Sequence, residues 1–441
     1  MPTTSIGLDA FNIAMPRGTG IATYGRNLNR ALRGLGRETD LLYGPERLAG
    51  AKSGLSEVSL FDAPAQSKGL LQPLRQGLGV FSAFRGRTAV PINSDGDVIT
   101  DHIARQAPPA DRLWASRDLF HTANRAFTAT ELMTKLTFAG GAGAGPSVMH
   151  WTAPLPLYAP GRPNLYTLHD LVPLRLPFAT LDNKRKFLRL CQQIGRRADQ
   201  IVTVSECSKR DLVRMLKIDE RRVTVTYQAV EAPLGVMAMA DSELASQIEG
   251  GLGLDWKGYF LFFGAIEPKK NLARLVEAYL ASGVQSPLVI VGGKAWLEDD
   301  ELGLLTPQLA GGGKTTEGVD RAGRIRHFDF MPFSLLARLI RGARAVLAPF
   351  LYEGFGLPVL ETMLMGTPVL ASTTGSLPEV AGDAALLVDP YDVDAIREAI
   401  RTLEADADLR SDLAARGLIQ AQRFNEAAYG ARLTGLYKPF A

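Results

Sequence analysis

Cysteine is scarce, with Cys191 and Cys207 the only two in 441 residues. They do not form a metal-spaced pair, and together with the lack of an export signal they read as reduced thiols of a cytosolic protein. A disulfide scaffold is thereby excluded. No apolar run reaches the roughly 18 residues that a membrane-spanning helix needs. The start, Met1-Pro-Thr-Thr-Ser-Ile-Gly7, lacks the basic stretch and apolar core of a signal peptide. No Walker loop, zinc spacing or internal repeat is present. Net charge is also nearly absent, at +3 from 49 basic and 46 acidic residues. What is present is an ordinary folded composition, 46% apolar and 22% charged, which excludes disorder and collagen-like repeats. The length suits about two or three domains.

The small net charge conceals an asymmetry. Residues 1–240 carry 30 Lys+Arg and 20 Asp+Glu, a net +10, and residues 241–441 carry 19 and 26, a net −7. Halves of opposite sign suggest domains with different partners. A basic half suits an anionic membrane surface, a phosphorylated substrate or nucleic acid. No aromatic-interleaved basic motif supports nucleic acid.

Both halves alternate apolar strands with helices. In the first half strands are expected near 5–9, 148–152, 165–168, 200–204 and 223–228. Helices are expected near 21–35, 181–197 and 209–216. In the second half the strands fall near 259–264, 288–292, 325–328, 345–349, 368–371 and 385–388. Helices there fall near 271–281, 332–341, 358–365 and 393–404. Continuous apolar strands between helices indicate parallel sheets covered on both faces. The expected fold is therefore α/β, with two Rossmann-like doubly wound domains facing a cleft. Residues 1–240 form the first domain and 241–424 the second, with a helix at about 425–441 returning to the first. The region 44–145 is less regular, and its Gly/Ala run at 140–145 reads as a loop.

Ligands of open α/β sheets bind beyond the carboxyl ends of strands. The strongest signal there is Glu353-Gly-Phe-Gly-Leu-Pro-Val-Leu-Glu361, after the strand near 345–349. Gly354 and Gly356 permit close backbone approach, and Pro358 suits the first turn of a helix. Glu353 is then expected in the loop and Glu361 in the first helical turn. A helix start offers amide donors for a diphosphate, and flanking carboxylates suit sugar or ribose hydroxyls. Glu267-Pro-Lys-Lys-Asn271 places Lys269 and Lys270 at a second helix start, where their charge conflicts with the dipole unless an anion is bound. Gly292 and Gly293 fit either close approach to a base or a tight turn, and Met331-Pro332 would border the same pocket. Gly18, Thr19 and Gly20, after Arg17, would face the diphosphate from the first half. His169-Asp170 ends a strand where ligands are expected. Ser205-Glu206 either lines the acceptor side or caps a helix. Asp95-Gly96-Asp97 reads as an acidic turn, and His102, His121, His150 and His327 have no metal spacing on a helix face.

These segments resemble the retaining family 4 glycosyltransferases of the GT-B fold. The match runs through Glu353–Glu361, Gly366-Thr-Pro-Val-Leu-Ala-Ser372, Gly375-Ser-Leu-Pro-Glu-Val380 and the Glu-Pro-Lys-Lys-Asn segment. It is looser in the first half, at Gly18–Gly20 and 166–177. The resemblance implies that the second half binds a nucleotide-sugar donor and the first half the acceptor. It implies that Glu361 holds the donor ribose. Glu353 and the amides of Gly354, Phe355, Gly356 and Leu357 would hold the transferred sugar and diphosphate. His169, with Asp170, would contact the transferring sugar. The Tyr-Thr-Leu-His-Asp-Leu-Val-Pro segment looks like that of bacterial surface-polysaccharide mannosyltransferases. GDP-mannose is thus the preferred donor, ahead of UDP-glucose or another hexose donor. Neither cofactor nor essential metal is expected. A sugar-nucleotide epimerase, a phosphorylase or a non-enzymatic partner subunit are the alternatives.

Residues 181–197 and 68–87 read as amphipathic basic segments. Either would lie on an anionic membrane or hold a polyprenyl-diphosphate-linked glycan acceptor, or else would pack on the domain. The expected location is the cytoplasm, on the inner face of the cell membrane.

Overall fold

The structure, a computed structural model, describes residues 4–15, 20–46, 85–92, 108–141, 143–231, 233–293, 317–319 and 324–440. Arg17, Gly18, Thr19, Asp95-Gly96-Asp97, His102 and residues 68–84 of the second basic segment lie outside them.

Among the described residues the first sheet has ten strands. They are β1 (Ile6–Asp9), β2 (Thr39–Tyr43), β3 (Arg87–Ile92), β4 (Arg112–Ala115), β5 (Thr134–Phe138), β6 (Val148–Trp151), β7 (Leu157–Tyr158), β8 (Asn164–Thr167), β9 (Gln200–Thr203) and β10 (Val223–Val225). Their order is β10-β9-β8-β6-β1-β2-β4-β3-β5-β7. All pairs are parallel except β3 with β4. The second sheet comprises β11 (Phe260–Phe263), β12 (Leu288–Val291), β13 (Glu317–Val319), β14 (Ile325–Phe328), β15 (Ala345–Ala348), β16 (Val369–Ser372) and β17 (Leu386–Val388). Its order is β13-β14-β12-β11-β15-β16-β17, and only the edge pair β13–β14 is antiparallel among the described residues. This is the expected pair of doubly wound α/β sheets. In each sheet the order reverses beside the first strand, at β1 and at β11, which is where a ligand crevice opens.

The inner strands of the second sheet, β11, β12, β15 and β16, are buried on both faces. Phe260, Leu261, Phe262 and Phe263 lie in the core, and helices Leu272–Ser282 and Val393–Ala405 pack together over the sheet. Strands β2, β3, β4, β5 and β7 and helix Leu119–Thr130 add to the expected first half. The final helix, Glu426–Tyr437, lies against helix Gly20–Gly34, and the Tyr437 hydroxyl meets His150 Nδ1 at 2.5 Å. The two chain crossings between halves touch where the Val230 amide donates to the Phe424 carbonyl at 3.3 Å.

The basic helix begins at Lys184, capped by Asn183, rather than near 181. Leu190, Cys191 and Ile194 are buried in the first core, with Phe187 and Leu188 packed beside them. Its apolar stripe is therefore turned inward and not offered to a bilayer. Arg185, Arg189, Arg196 and Arg197 face outward, and Phe178 and Leu181, which precede the helix, are 62% and 70% exposed.

Candidate functional site

The loops after β11, β15 and β16 meet at the carboxyl edge of the second sheet. Pro268–Lys270 forms a short 3-10 turn, and Asn271, at φ 59°, separates it from helix Leu272–Ser282. Asn271 is committed to holding the loops, since its amide donates to the carbonyls of Pro349 at 2.9 Å and Pro390 at 2.7 Å. The Leu351 amide bonds the Lys269 carbonyl at 2.8 Å. The first and second loops are thus fixed to each other before any ligand arrives.

The two lysines are consequently not in the first turn of a helix, which corrects the dipole argument for them. Carboxylates already offset their charge. Lys270 Nζ lies 2.7 Å from Glu353 Oε1 and 4.0 Å from the centre of the Phe350 ring. Lys269 Nζ lies 3.3 Å from Glu267 and 3.9 Å from Glu353. Burial pushes the Glu353 carboxyl up, but Lys269 and Lys270 outweigh it and hold the group below its ordinary value. Glu353, helped by Glu267 against burial, raises Lys269. Lys269 therefore stays charged at neutral pH.

Glu361 differs. Helix Leu357–Leu364 begins at Leu357, so Glu361 is its fifth residue and stands in the second turn, not the first. Burial pushes its carboxyl up to about 7, against the pull of Lys270. Lys270 therefore acts electrostatically on both glutamates of the motif.

Gly356, at φ 93°, opens this helix, and a Cβ there would stand 2.5 Å from Leu377. Phe355 turns into an aromatic cluster with Phe424 and Tyr227, at centroid distances of 5.6 and 6.4 Å. Its ring is therefore core, leaving the backbone as its contribution to a ligand. At Gly292 the need for glycine arises inside the protein, because a Cβ would fall 1.8 Å from the Gly264 carbonyl oxygen. The Gly292 amide is also spent on the Phe328 carbonyl at 2.9 Å. A Cβ at Gly293 would stand 3.1 Å from the Asp329 carbonyl, so tight packing of strand ends accounts for both glycines.

The first half supplies the opposite wall. His169 Nε2 lies 2.9 Å from the Thr152 carbonyl, which can only accept, so Nε2 carries the proton and Nδ1 is left as an acceptor. Burial lowers the His169 pKa, which keeps the ring neutral. Tyr24 stands edge-on to it at 4.7 Å. Asp170 accepts from the Val172 amide at 2.9 Å, and its other oxygen is 2.7 Å from where a Cβ on Gly354 would stand. Only glycine at 354 lets these walls approach so closely. Gly20 similarly faces Leu357, with 3.3 Å between its would-be Cβ and the leucine methyl. His169, Asp170, Gly20, Lys269, Lys270, Glu353, Gly354, Leu357 and Glu361 are thus brought to one cleft. Ser205 is a helix cap, accepting from the Ser208 amide at 3.0 Å, and its hydroxyl also crosses the cleft to the Gly354 carbonyl at 2.7 Å.

Sequence reasoning missed Tyr352 and Asp211, which bond across the cleft at 2.5 Å. It also missed Thr152, whose carbonyl orients His169. Nothing local in the sequence marks these long-range pairs. Among the described residues no group of three or more His, Cys, Asp or Glu is placed to hold a metal ion.

Two family models match, glycosyl transferases group 1 over residues 252–419 and Glycosyltransferase Family 4 over residues 93–232. The chain is 34% identical to O-antigen chain mannosyltransferase B of Escherichia coli over 59% of its own length and 66% of the relative's. It is 28% identical to D-inositol 3-phosphate glycosyltransferase of Corynebacterium glutamicum over 62% and 66% of the two chains. Just under two thirds of each of these relatives is therefore spanned. Among solved structures, sucrose-phosphate synthase from Thermosynechococcus elongatus superimposes with a TM-score of 0.67 at 19% identity, covering 99% of this chain and 98% of that one. HepE from Anabaena in complex with UDP and glucose does so at 0.63 and 16%, covering 99% and 100%. With both halves matched and the architecture shared from end to end, the chain belongs to the family 4 glycosyltransferases, enzymes of the GT-B fold.

Proposed function

We propose that this protein transfers mannose from GDP-mannose, with retention of configuration, to a glycan or polyprenyl-diphosphate-linked acceptor in surface-polysaccharide synthesis. The observation that carries the reading is the largely enclosed Lys269–Lys270–Glu353–Glu361 cluster, with Lys270 itself buried, facing His169. The preference for mannose rests on the likeness to an O-antigen mannosyltransferase. In this reading Lys269 and Lys270 stabilise the charge that develops on the leaving diphosphate. Glu361 accepts from the ribose hydroxyls. Glu353 and the neutral Nδ1 of His169 accept from hydroxyls of the transferring sugar. The acceptor oxygen bonds to the anomeric carbon on the face from which the diphosphate departs, and its proton passes to the departing diphosphate oxygen, so no protein nucleophile is needed. No metal is needed either, since the lysines supply the charge. Contact between the halves keeps water from the activated sugar.

A thermal-shift screen of GDP-mannose, GDP, UDP-glucose and UDP tests the donor. A ligand at about 100 times its Kd stabilises the folded state by roughly 2.7 kcal/mol, a rise of several degrees. GDP-mannose and GDP should give the larger shifts. A larger response to UDP-glucose would reassign the donor, and no response to any nucleotide would remove the reading.

Membrane contact is part of the same proposal. Among the described residues no helix is long and apolar enough to cross a membrane. The outward arginines of Lys184–Arg197, with exposed Phe178 and Leu181, suit an anionic leaflet, at about 1 kcal/mol per basic residue. Replacing Arg185 and Arg189 together by Glu should lower binding to phosphatidylglycerol vesicles at least tenfold. Unchanged sedimentation with the vesicles would exclude this face.

A further inference from the structure

Glu353 and Gly354 are both gripped through their backbone carbonyls, and Glu353 through its side chain as well. From the second half, the Ser376 amide and hydroxyl both donate to the Glu353 carbonyl, at 3.1 and 3.0 Å. Gly375, at φ +64°, fits so tightly there that a Cβ would stand 2.8 Å from that oxygen. From the first half, the hydroxyls of Ser205 and Ser208 both reach the Gly354 carbonyl, at 2.7 and 3.3 Å. Two successive carbonyls are thus held from opposite sides of the cleft.

Glu379 joins these two grips. It lies three residues after Ser376, in helix Leu377–Ala381 of the second half. Its carboxylate crosses the cleft and accepts from the amides of Glu206 at 2.7 Å and Cys207 at 3.0 Å. Those amides open helix Glu206–Leu216, whose cap is Ser205 itself. An anion on the first amides of a helix also meets the positive end of its dipole, so both bonds are charge-assisted. The same carboxylate sits against Tyr227, where the chain crosses between halves, and adds to burial in raising that phenol.

We propose that Glu379 is a positioning residue that couples closure of the two halves to the placement of Glu353. When Glu379 docks on the helix start, Ser205 and Ser208 are brought onto the Gly354 carbonyl while Ser376 keeps hold of the Glu353 carbonyl. The Glu353 side chain then faces the first half at a fixed setting. When Glu379 is released, Gly354 loses its partners from the first half, and Glu353 keeps only Ser376 on its carbonyl and the lysines on its side chain. This rests on the reading of Glu353 as part of the donor site, but the coupling itself is geometric and independent of which sugar is carried.

The test compares wild type, Glu379→Gln and the double variant Ser205→Ala/Ser208→Ala, which breaks the same contact from the other side. Glu379→Gln removes the charge and sets an amide against one N–H. It should lower kcat at least tenfold while the Kd for the nucleoside diphosphate, measured by calorimetry, moves less than threefold. The double variant should show the same split. Small-angle scattering with saturating nucleoside diphosphate should give a larger radius of gyration for Glu379→Gln than for wild type. Equal radii, or wild-type kcat in both variants, would overturn the coupling. A matched loss of kcat and nucleotide affinity in both would also overturn it, since Glu379 would then act on the donor site alone. Failure of wild type to bind any nucleoside diphosphate would instead strike the donor-site reading, while the radii of the ligand-free proteins would still decide the coupling.

Discussion

Replacing Lys270 by Ala should lower kcat/KM by about a hundred- to a thousandfold, the usual cost of losing one preorganised stabiliser of developing charge. Lys270 is the residue on which the cluster converges. Its ammonium is 2.7 Å from Glu353, above the Phe350 ring, and its side chain is 8% exposed. It also draws on Glu361. Without it, the largely buried Glu353 carboxylate keeps only Lys269 as a cation, at 3.9 Å. Breaking a buried pair from one side costs about 3–5 kcal/mol, because a charge is left uncompensated, so the variant should also melt earlier. Lys270→Arg should recover stability better than activity, since a planar guanidinium cannot reproduce a compact point charge in that slot. Steady-state kinetics on folded variants decides the matter. A Lys270→Ala enzyme keeping a third of wild-type kcat/KM would leave the diphosphate without its proposed anchor.

The same cluster has a pH dependence with a definite sign. The Glu353 carboxyl is held below its ordinary value, so its pairing stabilises the fold above the unfolded pKa. That contribution is lost as pH falls through the lower folded value. Acid should therefore loosen the Glu353 loop and the contacts it makes with Ser205 and Ser208.

How legible this was in the sequence depended on burial and on distance along the chain. The inner second-half strands were readable because they are apolar runs covered on both faces, as in Phe260–Phe263 and Ala345–Ala348. Strand Thr39–Tyr43 is equally buried but carries Asp40, which breaks the run. Its carboxylate is satisfied by Arg112 at 3.0 Å and by the Trp114 indole at 3.0 Å, partners that lie more than seventy residues away. Strand Arg87–Ile92 buries only Ala89 and Ile92 and exposes Thr88 and Pro91, so no continuous apolar run marks it. In the site, Glu353, Glu361, Lys269, Lys270 and His169-Asp170 were found because each stands in a short segment after a strand. The conflict that drew attention to the lysines was resolved by the protein's own carboxylates and by Asn271, which no local pattern reveals. Glu379 had a place in a recognisable segment, Gly375-Ser-Leu-Pro-Glu-Val380, but its role depends on amides 172 and 173 residues away.

Nucleotide affinity should rise about tenfold between pH 6 and pH 8, and Glu361 should be the cause. Its carboxyl is pushed up to about 7 by burial. If the ribose hydroxyls donate to the ionised form, the apparent Kd carries a factor of one plus the proton-bound ratio. That factor is about 11 at pH 6 and about 1.1 at pH 8 for a pKa near 7. The linkage to stability runs the other way. An acid raised on folding binds its proton more tightly in the native state, so stability falls as pH climbs from the unfolded value through about 7. The ligand-free protein should lose on the order of 1–3 kcal/mol over that window through this residue. Glu361→Gln should be spared that loss, melting later than wild type at pH 8 and alike near pH 4. It should also bind nucleotide more weakly at pH 8 and show no change in affinity from pH 6 to 8. Calorimetric titrations at the two pH values and melting curves across the range measure both effects. A wild-type affinity independent of pH, or a Glu361→Gln variant that keeps the pH dependence, would remove Glu361 from the ribose. A carboxylate retained at a cost to the fold at neutral pH, and recovering that cost only when a diol is bound, is what separates a binding residue from a structural one.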